Sequence, residues 1–472
     1  MTHRFKSLPL LALTAALAAC GAPSPLPAPT AADGPAPSGI TAQSVTPAPG
    51  SFVMLKALYF GSTSTRVRDV AVQPDGKFIV VGEGRDSGED SYFGFIARLL
   101  PDGSLDPSFA KTGWRRLRKL WEDASCAICF PEYTLPNSKT PVTVTGVVIQ
   151  GSRVLVSASA RKEVDATFSH TIETRQQMVQ AFRLSDGALD TSWNGTGVTQ
   201  TTMGNAEVLS EANDVAVTGD RVFTGGYVNS SPMRPTIATF TNAGQLDKTF
   251  SGDGAHYLVL PDAEGGASAS AVTVINTRPV VAGWVKHNNA QRMFLVRYKE
   301  DGTLDPSFGG GDGIVRPSYG LGDTVARAVQ YNAAAGRIGV VGSSADPAGL
   351  VRFAVAKLLP DGSMDPAFGV GGKVTTAIGS GHSGANAVVM QPNGKLLAAG
   401  YTTSPDGKTD AAVVRYTANG SLDATFGSGG RSVVGQNDGH HELIRGMATL
   451  PNGKIVVVGD SGMYGLVGLL QP

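Results

Sequence analysis

Apolar and polar positions alternate in short runs broken by turn residues, and the pattern predicts strands rather than long helices. In AVVMQPNGKLLAAGY, residues 387–401, two β-rich runs flank Asn393–Gly394, a dipeptide that tolerates positive φ and marks a hairpin. DAAVVRYTANG, residues 410–420, alternates apolar and polar side chains and ends at another turn. A fourth short run, KVTTAI, occupies 373–378. Four short antiparallel strands per unit make a propeller blade.

The unit repeats. LDPSF at 105–109 returns as LDTSW (189–193), LDKTF (246–250), LDPSF (304–308), MDPAF (364–368) and LDATF (422–426). Its aspartates, Asp106, Asp190, Asp247, Asp305, Asp365 and Asp423, are spaced by 84, 57, 58, 60 and 58 residues. The period is thus about 58–60 with one insertion, at 119–141. A second signature, VAVQPDGKFIVVGEG at 70–84, keeps step through seven copies, the last being MATLPNGKIVVVGDS at 447–461. In each copy of the first motif the aspartate stands where it would cap a single helical turn. The aromatic that follows would fold back beside the neighbouring blade. Six equivalent aspartates cannot all be one catalytic residue, so the motif reads as a structural staple.

The two ends carry complementary fractions of a repeat. The chain closes on GLVGLLQP (465–472), which aligns with the third run of the first unit, so the seventh unit lacks its fourth strand. FVMLKAL (52–58) stands alone before the first unit. The expected fold is all-β: a seven-bladed β-propeller of four-stranded antiparallel blades over 51–472, closed by strand 52–58 completing the last blade. Closure also leaves fewer unpaired strand edges than an open stack.

The copies LDPSFGGGDGIV, VAVQPDGKFIVVG and FAVAKLLPDGSMDPAFG resemble the delta-60 repeat family, a β-propeller repeat of bacterial secreted proteins. The resemblance spans about 52–472 and is strongest in units five to seven. Unit three departs with NAG (242–244) in place of the usual DG, and unit four with NTRP (276–279) in its hairpin, which leaves their turn types open. The family implies a propeller architecture and no established chemistry.

Residues 1–19 read as a signal peptide: Arg4 and Lys6 precede an apolar run from Leu8 to Ala19. That run is shorter than the roughly 20 residues of a membrane span. LAAC at Leu17–Cys20 looks like a bacterial lipobox, in which Cys20 becomes the lipid-modified N-terminus; the alternative is an ordinary signal peptide ending near a cysteine. The stretch 21–50 holds eight prolines and one charge, Asp33, so residues 20–50 suit a disordered tether. At roughly 3.1 Å per residue, thirty residues would reach at most about 90 Å. These features predict a lipid-anchored, extracytoplasmic protein of the bacterial cell envelope, held to a membrane through Cys20 and monomeric.

Lys and Arg together number 39, as do Asp and Glu, so the net charge is zero and nucleic acid is not an expected partner. Cys126 and Cys129 form a C-x-x-C pair within the insertion, expected as a local disulfide. Reduced thiols, a redox couple and half a metal site are the alternatives. WRRLRKLW (114–121) is an outer strand at one spacing and a basic amphipathic helix at another. Asp253 and Asp312 in two GDG turns lack the further carboxylates calcium prefers, and His440, His441 and Glu442 read as loop residues. No metal, cofactor or catalytic residue is assigned. Every repeated feature has a structural explanation, which points to a binding or scaffold module for a protein or glycan. The alternative is an extracytoplasmic hydrolase or lyase using carboxylates at the channel mouth.

Overall fold

The described residues form twenty-eight strands in seven antiparallel sheets of four, and no helix occurs among them. The structure is a computed structural model that describes residues 48–471 apart from 62, 88–91, 118–141, 167–169, 202, 204–208, 262, 321 and 436–439. Residues 161–166 and 170–174 are described as backbone only.

Each blade follows one order. In blade 1 the inner strand Ser64–Val72 pairs with Phe78–Arg85, then Tyr92–Leu99, then the short outer strand Trp114–Arg116. The seven inner strands, Ser64–Val72, Val142–Gln150, Ser210–Thr218, Ala267–Ile275, Thr324–Asn332, Ser383–Met390 and Glu442–Thr449, line the ring axis. Apolar side chains of both faces of every sheet fill the gaps between blades. Phe353 and Val355 of blade 5, for instance, pack with Val388 and Leu396 of blade 6.

The period of the sequence reappears as the span of hydrogen bonds between inner strands. Thr218 donates its hydroxyl to the carbonyl of Asn276, 58 residues on, and Asn386 donates Nδ2 to the carbonyl of Ile444, again 58 on. Equivalent positions therefore stand at one level around the channel.

The ring closes as the fractional repeats predict. Phe52–Leu58 pairs antiparallel with Tyr464–Leu470 and becomes the outer strand of blade 7. One core runs unbroken across the join, with Val456, Val458 and Val467 against Val67, Val80 and Phe95. Pro49 and Gly50 supply the turn that blade 7 would otherwise lack: Gly50 N–H donates to Gln471 O at 2.9 Å, and Gln471 N–H to Ser51 O at 3.1 Å. In blade 1 the same bonds run from Gly103 to Leu100 (2.9 Å) and from Leu100 to Ser104 (2.8 Å).

Because strand direction alternates, the turns between first and second and between third and fourth strands share one face of the ring. It is called here the staple face. The second-to-third turns and the connections between blades share the other, the loop face. The NAG turn of unit three keeps the repeat's conformation, with Gly244 at φ 80° donating to Thr241 O. In NTRP, Asn276 takes the left-handed conformation at φ 58°, which asparagine tolerates.

Candidate functional site

On the staple face the aspartates of the motif anchor a charged clasp. No helical turn forms. Phe109 N–H donates to Asp106 O at 3.0 Å, closing a tight turn, and Asp106 Oδ1 accepts from Ser108 N–H (3.0 Å) and Oγ–H (2.7 Å). The N–H and hydroxyl two residues on satisfy this oxygen locally, and the same turn forms at Asp365, where Ala367 offers its N–H alone at 3.1 Å. The other oxygen, Oδ2, takes Lys77 Nζ at 3.0 Å and Arg98 Nε at 2.9 Å.

The arrangement recurs around Asp305 (Arg278, Arg297), Asp365 (Arg337, Lys357) and Asp423 (Lys395, Arg415). Blades 2 and 3 put Ala181 and Thr239 where the second cation stands elsewhere, so Asp190 has Arg153 alone and Asp247 has Arg221 alone. Burial by itself would push the Asp305 carboxyl up, but the Ser307 hydrogen bonds and the two arginines hold it at about 2.

These cations also reach the next blade. Arg98 Nη2 donates to Ser185 O at 3.2 Å, Lys357 Nζ to Ala418 O at 2.9 Å, and Arg297 Nη1 to Pro360 O. Where blades 2 and 3 lack the second cation, the first one substitutes: Arg153 Nη1 donates to Asn242 O at 2.8 Å, and Arg221 Nη1 to Glu300 O at 3.0 Å. The aromatic then sits, fully buried, against a turn glycine of the following blade, as Phe109 does against Gly187 and Trp193 against Gly244. Sequence reading missed the cations. Their signal was a Lys or Arg eight residues ahead of the aspartate in four of six repeats.

Around the channel, every inner strand carries a bulge at the same level. The bulged residues are Arg68, Thr145, Asn213, Ser270, Arg327, Asn386 and Arg445. Arg68 pairs with Glu83 at 2.8 Å and Arg445 with Asp460 at 2.7 Å. Immediately after the bulge stand Asp69 and Asp214. Each accepts two backbone N–H groups, its own successor's and one from the next blade: Val70 and Val147 at 2.8 and 2.9 Å, Val215 and Val272 at the same distances. Gly446 and Gly146 stand close beside them and leave room for the carboxylates. Burial pushes Asp69 up to about 6 against the pull of its two amides. Burial, reinforced by the charge of Asp69, pushes Asp214 to about 7.

The remaining sequence candidates are dispersed. His440 and His441 are exposed, and His441 Nδ1 accepts from Thr409 N–H at 3.2 Å. Glu442 is buried and accepts from Ser461 Oγ–H at 3.2 Å. Asp253 and Asp312 each accept the N–H two residues on, at 2.9 Å, as turn residues do. Trp114–Arg116 is the outer strand of blade 1. Cys20, Cys126 and Cys129, with the whole of the insertion, lie outside the described residues. Among the described residues no group of three His, Cys, Asp or Glu is placed to hold a metal.

Four stretches, 73–109, 280–308, 336–368 and 391–426, match the family described as a β-propeller domain of unknown function (DUF5122). Each runs from the start of a second strand, or the turn before it, to the motif aromatic. No curated protein matches the chain. Among solved structures, Sqt1 of Chaetomium thermophilum is 13% identical over 88% of this chain and 98% of its own, with a TM-score of 0.46. Trypanosoma rangeli sialidase in complex with the inhibitor DANA is 12% identical over 90% of this chain, which spans 60% of that one, with a TM-score of 0.40. A glucose dehydrogenase is 11% identical over 89% of this chain and 99% of its own, with a TM-score of 0.39. The four family matches and the seven four-stranded blades together support placing this chain among the β-propeller repeat proteins.

Proposed function

We propose that the chain is a binding or scaffold propeller, anchored through a lipid on Cys20 at an extracytoplasmic membrane surface, that offers its loop face to a protein or glycan. The observation that carries this reading is the unequal use of the two faces. On the staple face the recurring charges are consumed by clasps within and between blades. The chain upstream of the propeller also joins that face, at Pro49–Gly50. Departures from the period gather on the opposite face. Blade 2 extends its central hairpin there to two strands of 14 residues, against 7 to 10 in the other blades, and in the sequence the insertion falls between the last strand of blade 1 and the first strand of blade 2. Connections free of the packing constraints of the repeat are where recognition residues are usually carried. The channel carboxylates Asp69 and Asp214 are occupied by backbone amides, and Glu83 and Asp460 by arginines, which favours a wall over a catalytic pair.

The test compares capture of envelope components by three proteins: the native chain, one with the blade 2 hairpin shortened to the length of the other blades, and one with staple-face turn residues changed. Loss confined to the hairpin variant supports the reading; equal capture by all three removes it. The anchor is checked separately by Cys20→Ser, which should release the protein from the membrane fraction.

A further inference from the structure

In blade 3 a hydroxyl and an imidazole meet on the staple face. Ser251 Oγ lies 3.1 Å from His256 Nδ1, and in the tautomer that carries its proton on Nε2 the ring accepts from that hydroxyl. Ser251 follows the motif aromatic Phe250, and His256 is the middle residue of the outer strand Ala255–Tyr257. No other repeat carries this pair. The position of Ser251 is held by Ala110, Asn194, Gly309, Gly369 and Gly427, and in blade 1 the position of His256 is held by Arg115.

The next blade holds both groups in place. Ser251 N–H donates to Asp301 O at 2.9 Å. The His256 ring stands edge-on to Tyr298, with centroids 5.8 Å apart, and Tyr298 belongs to the core between blades 3 and 4. The surroundings suit an acyl group. Ser251, Gly252 and Asp253 are exposed, and the N–H groups of Gly252 and Asp253 meet no acceptor among the described residues. A Cβ at Gly252 would meet nothing within 4 Å, so the space beside it is open. Burial holds the imidazole below its ordinary value against the pull of Asp253, which keeps the ring neutral and ready to accept a proton at pH 7.

From this arrangement we propose that Ser251 and His256 form an acyl-transfer site that hydrolyses short acyl esters. Ser251 Oγ attacks the ester carbonyl carbon as its proton passes to His256 Nδ1. The N–H groups of Gly252 and Asp253 receive the oxygen that becomes negative. The bond from carbonyl carbon to alcohol oxygen breaks, His256 gives its proton to the leaving oxygen, and the acyl group stays on Ser251. Water then attacks that carbonyl with His256 Nδ1 as base, and the carboxylic acid leaves as the serine hydroxyl is restored. Because Ser251, Gly252 and Asp253 all lie open to solvent, the turn encloses no long chain, and a short acyl group is what it holds.

The site lies on the face opposite the one offered to a protein or glycan and does not depend on that reading. The probes are p-nitrophenyl acetate and a fluorophosphonate, applied to the full chain, with the labelled peptide identified by mass spectrometry. The native chain should release p-nitrophenol faster than buffer does and take up the fluorophosphonate at Ser251. Ser251→Gly keeps the turn, since glycine stands there in three other repeats and accepts the φ of 55°. It should melt at the native temperature or higher while losing the label and about tenfold or more of the rate above background. His256→Gln should lose rate and labelling alike with the serine still in place. Absence of label at Ser251, or a Ser251→Gly protein that hydrolyses the ester as fast as the native one, overturns the site. Loss of rate with His256→Gln but not with Ser251→Gly would leave an imidazole acting alone and overturns it too. Hydrolysis of p-nitrophenyl octanoate as fast as the acetate would overturn the assignment to short acyl groups.

Discussion

The N–H of Gly50 donates to the carbonyl of Gln471 at 2.9 Å, joining residues 421 positions apart as Gly103 and Leu100 are joined within blade 1. The repeat is thus continuous through the gap between the first and last strands. Gly50 holds φ 81°, and a Cβ there would lie 2.2 Å from Gly427 N. Gly50→Val should therefore cost about 2 kcal/mol or more, read as a lower midpoint in urea unfolding.

Removing the chain through residue 58 would unpair the edge strand Tyr464–Leu470. The exposed edge is a template for another chain. The truncated protein should self-associate in a concentration-dependent way, whereas the native chain should not; light scattering during size-exclusion chromatography distinguishes them.

Asp305 neutralises two arginines in a setting where Arg297 is 8% exposed. Asp305→Ala would leave that guanidinium buried without its partner, at a cost of about 3–5 kcal/mol. Phe308→Ala empties a fully buried site and should cost about the same. Because Asp190 has one cation and is more exposed, Asp190→Ala should cost clearly less. Chemical denaturation of the three variants checks the ranking.

Stability should peak in mildly acidic solution. Asp305, held at about 2 in the fold, contributes stability that is present above its ordinary value near 4 and is lost as pH falls toward 2. Asp69 and Asp214 run the other way. Raised to about 6 and about 7, they contribute most below pH 4, and that contribution disappears as pH climbs through 6 and 7. Melting temperature measured from pH 3 to 8 should show both limbs, and Asp214→Asn should flatten the upper one.

Gly446 leaves space for its neighbour in the channel wall: a Cβ would lie 3.0 Å from Asp69 Cα and 2.9 Å from Val458 Cγ2. Gly446→Ala should destabilise by about 1–3 kcal/mol. The equivalent positions in blades 4, 5 and 6 already carry Ala271, Ala328 and Ala387. Thermal melts of Gly446→Ala beside the reverse change Ala328→Gly test whether the aspartate makes the difference.

The strands, their grouping by four, the number of blades and the way the ring closes were all legible in the sequence. Short-range alternation and turn residues specify a strand locally, and a fixed period repeats that specification. Other features were only half visible. The motif aspartate read as the cap of a helical turn, because Asp-Pro at 106–107 suits one. Its carboxylate instead accepts the N–H two residues on and the cations Lys77 and Arg98, which stand far from it in the sequence.

What the sequence determined by itself was everything that depends on nearest neighbours along the chain or on the return of one unit. The tertiary structure alone decided which charges meet. Lys77, in the turn before the second strand, and Arg98, on the third, meet Asp106 only when those two strands are paired, and Asp69 reaches Val147 only when two blades stand side by side. Arg66 and Arg85, 19 residues apart, likewise both stand over the Tyr92 ring only because the strands of blade 1 are paired. Electrostatic and hydrogen-bond partners act over a few ångströms of space, and chain separation does not record that distance.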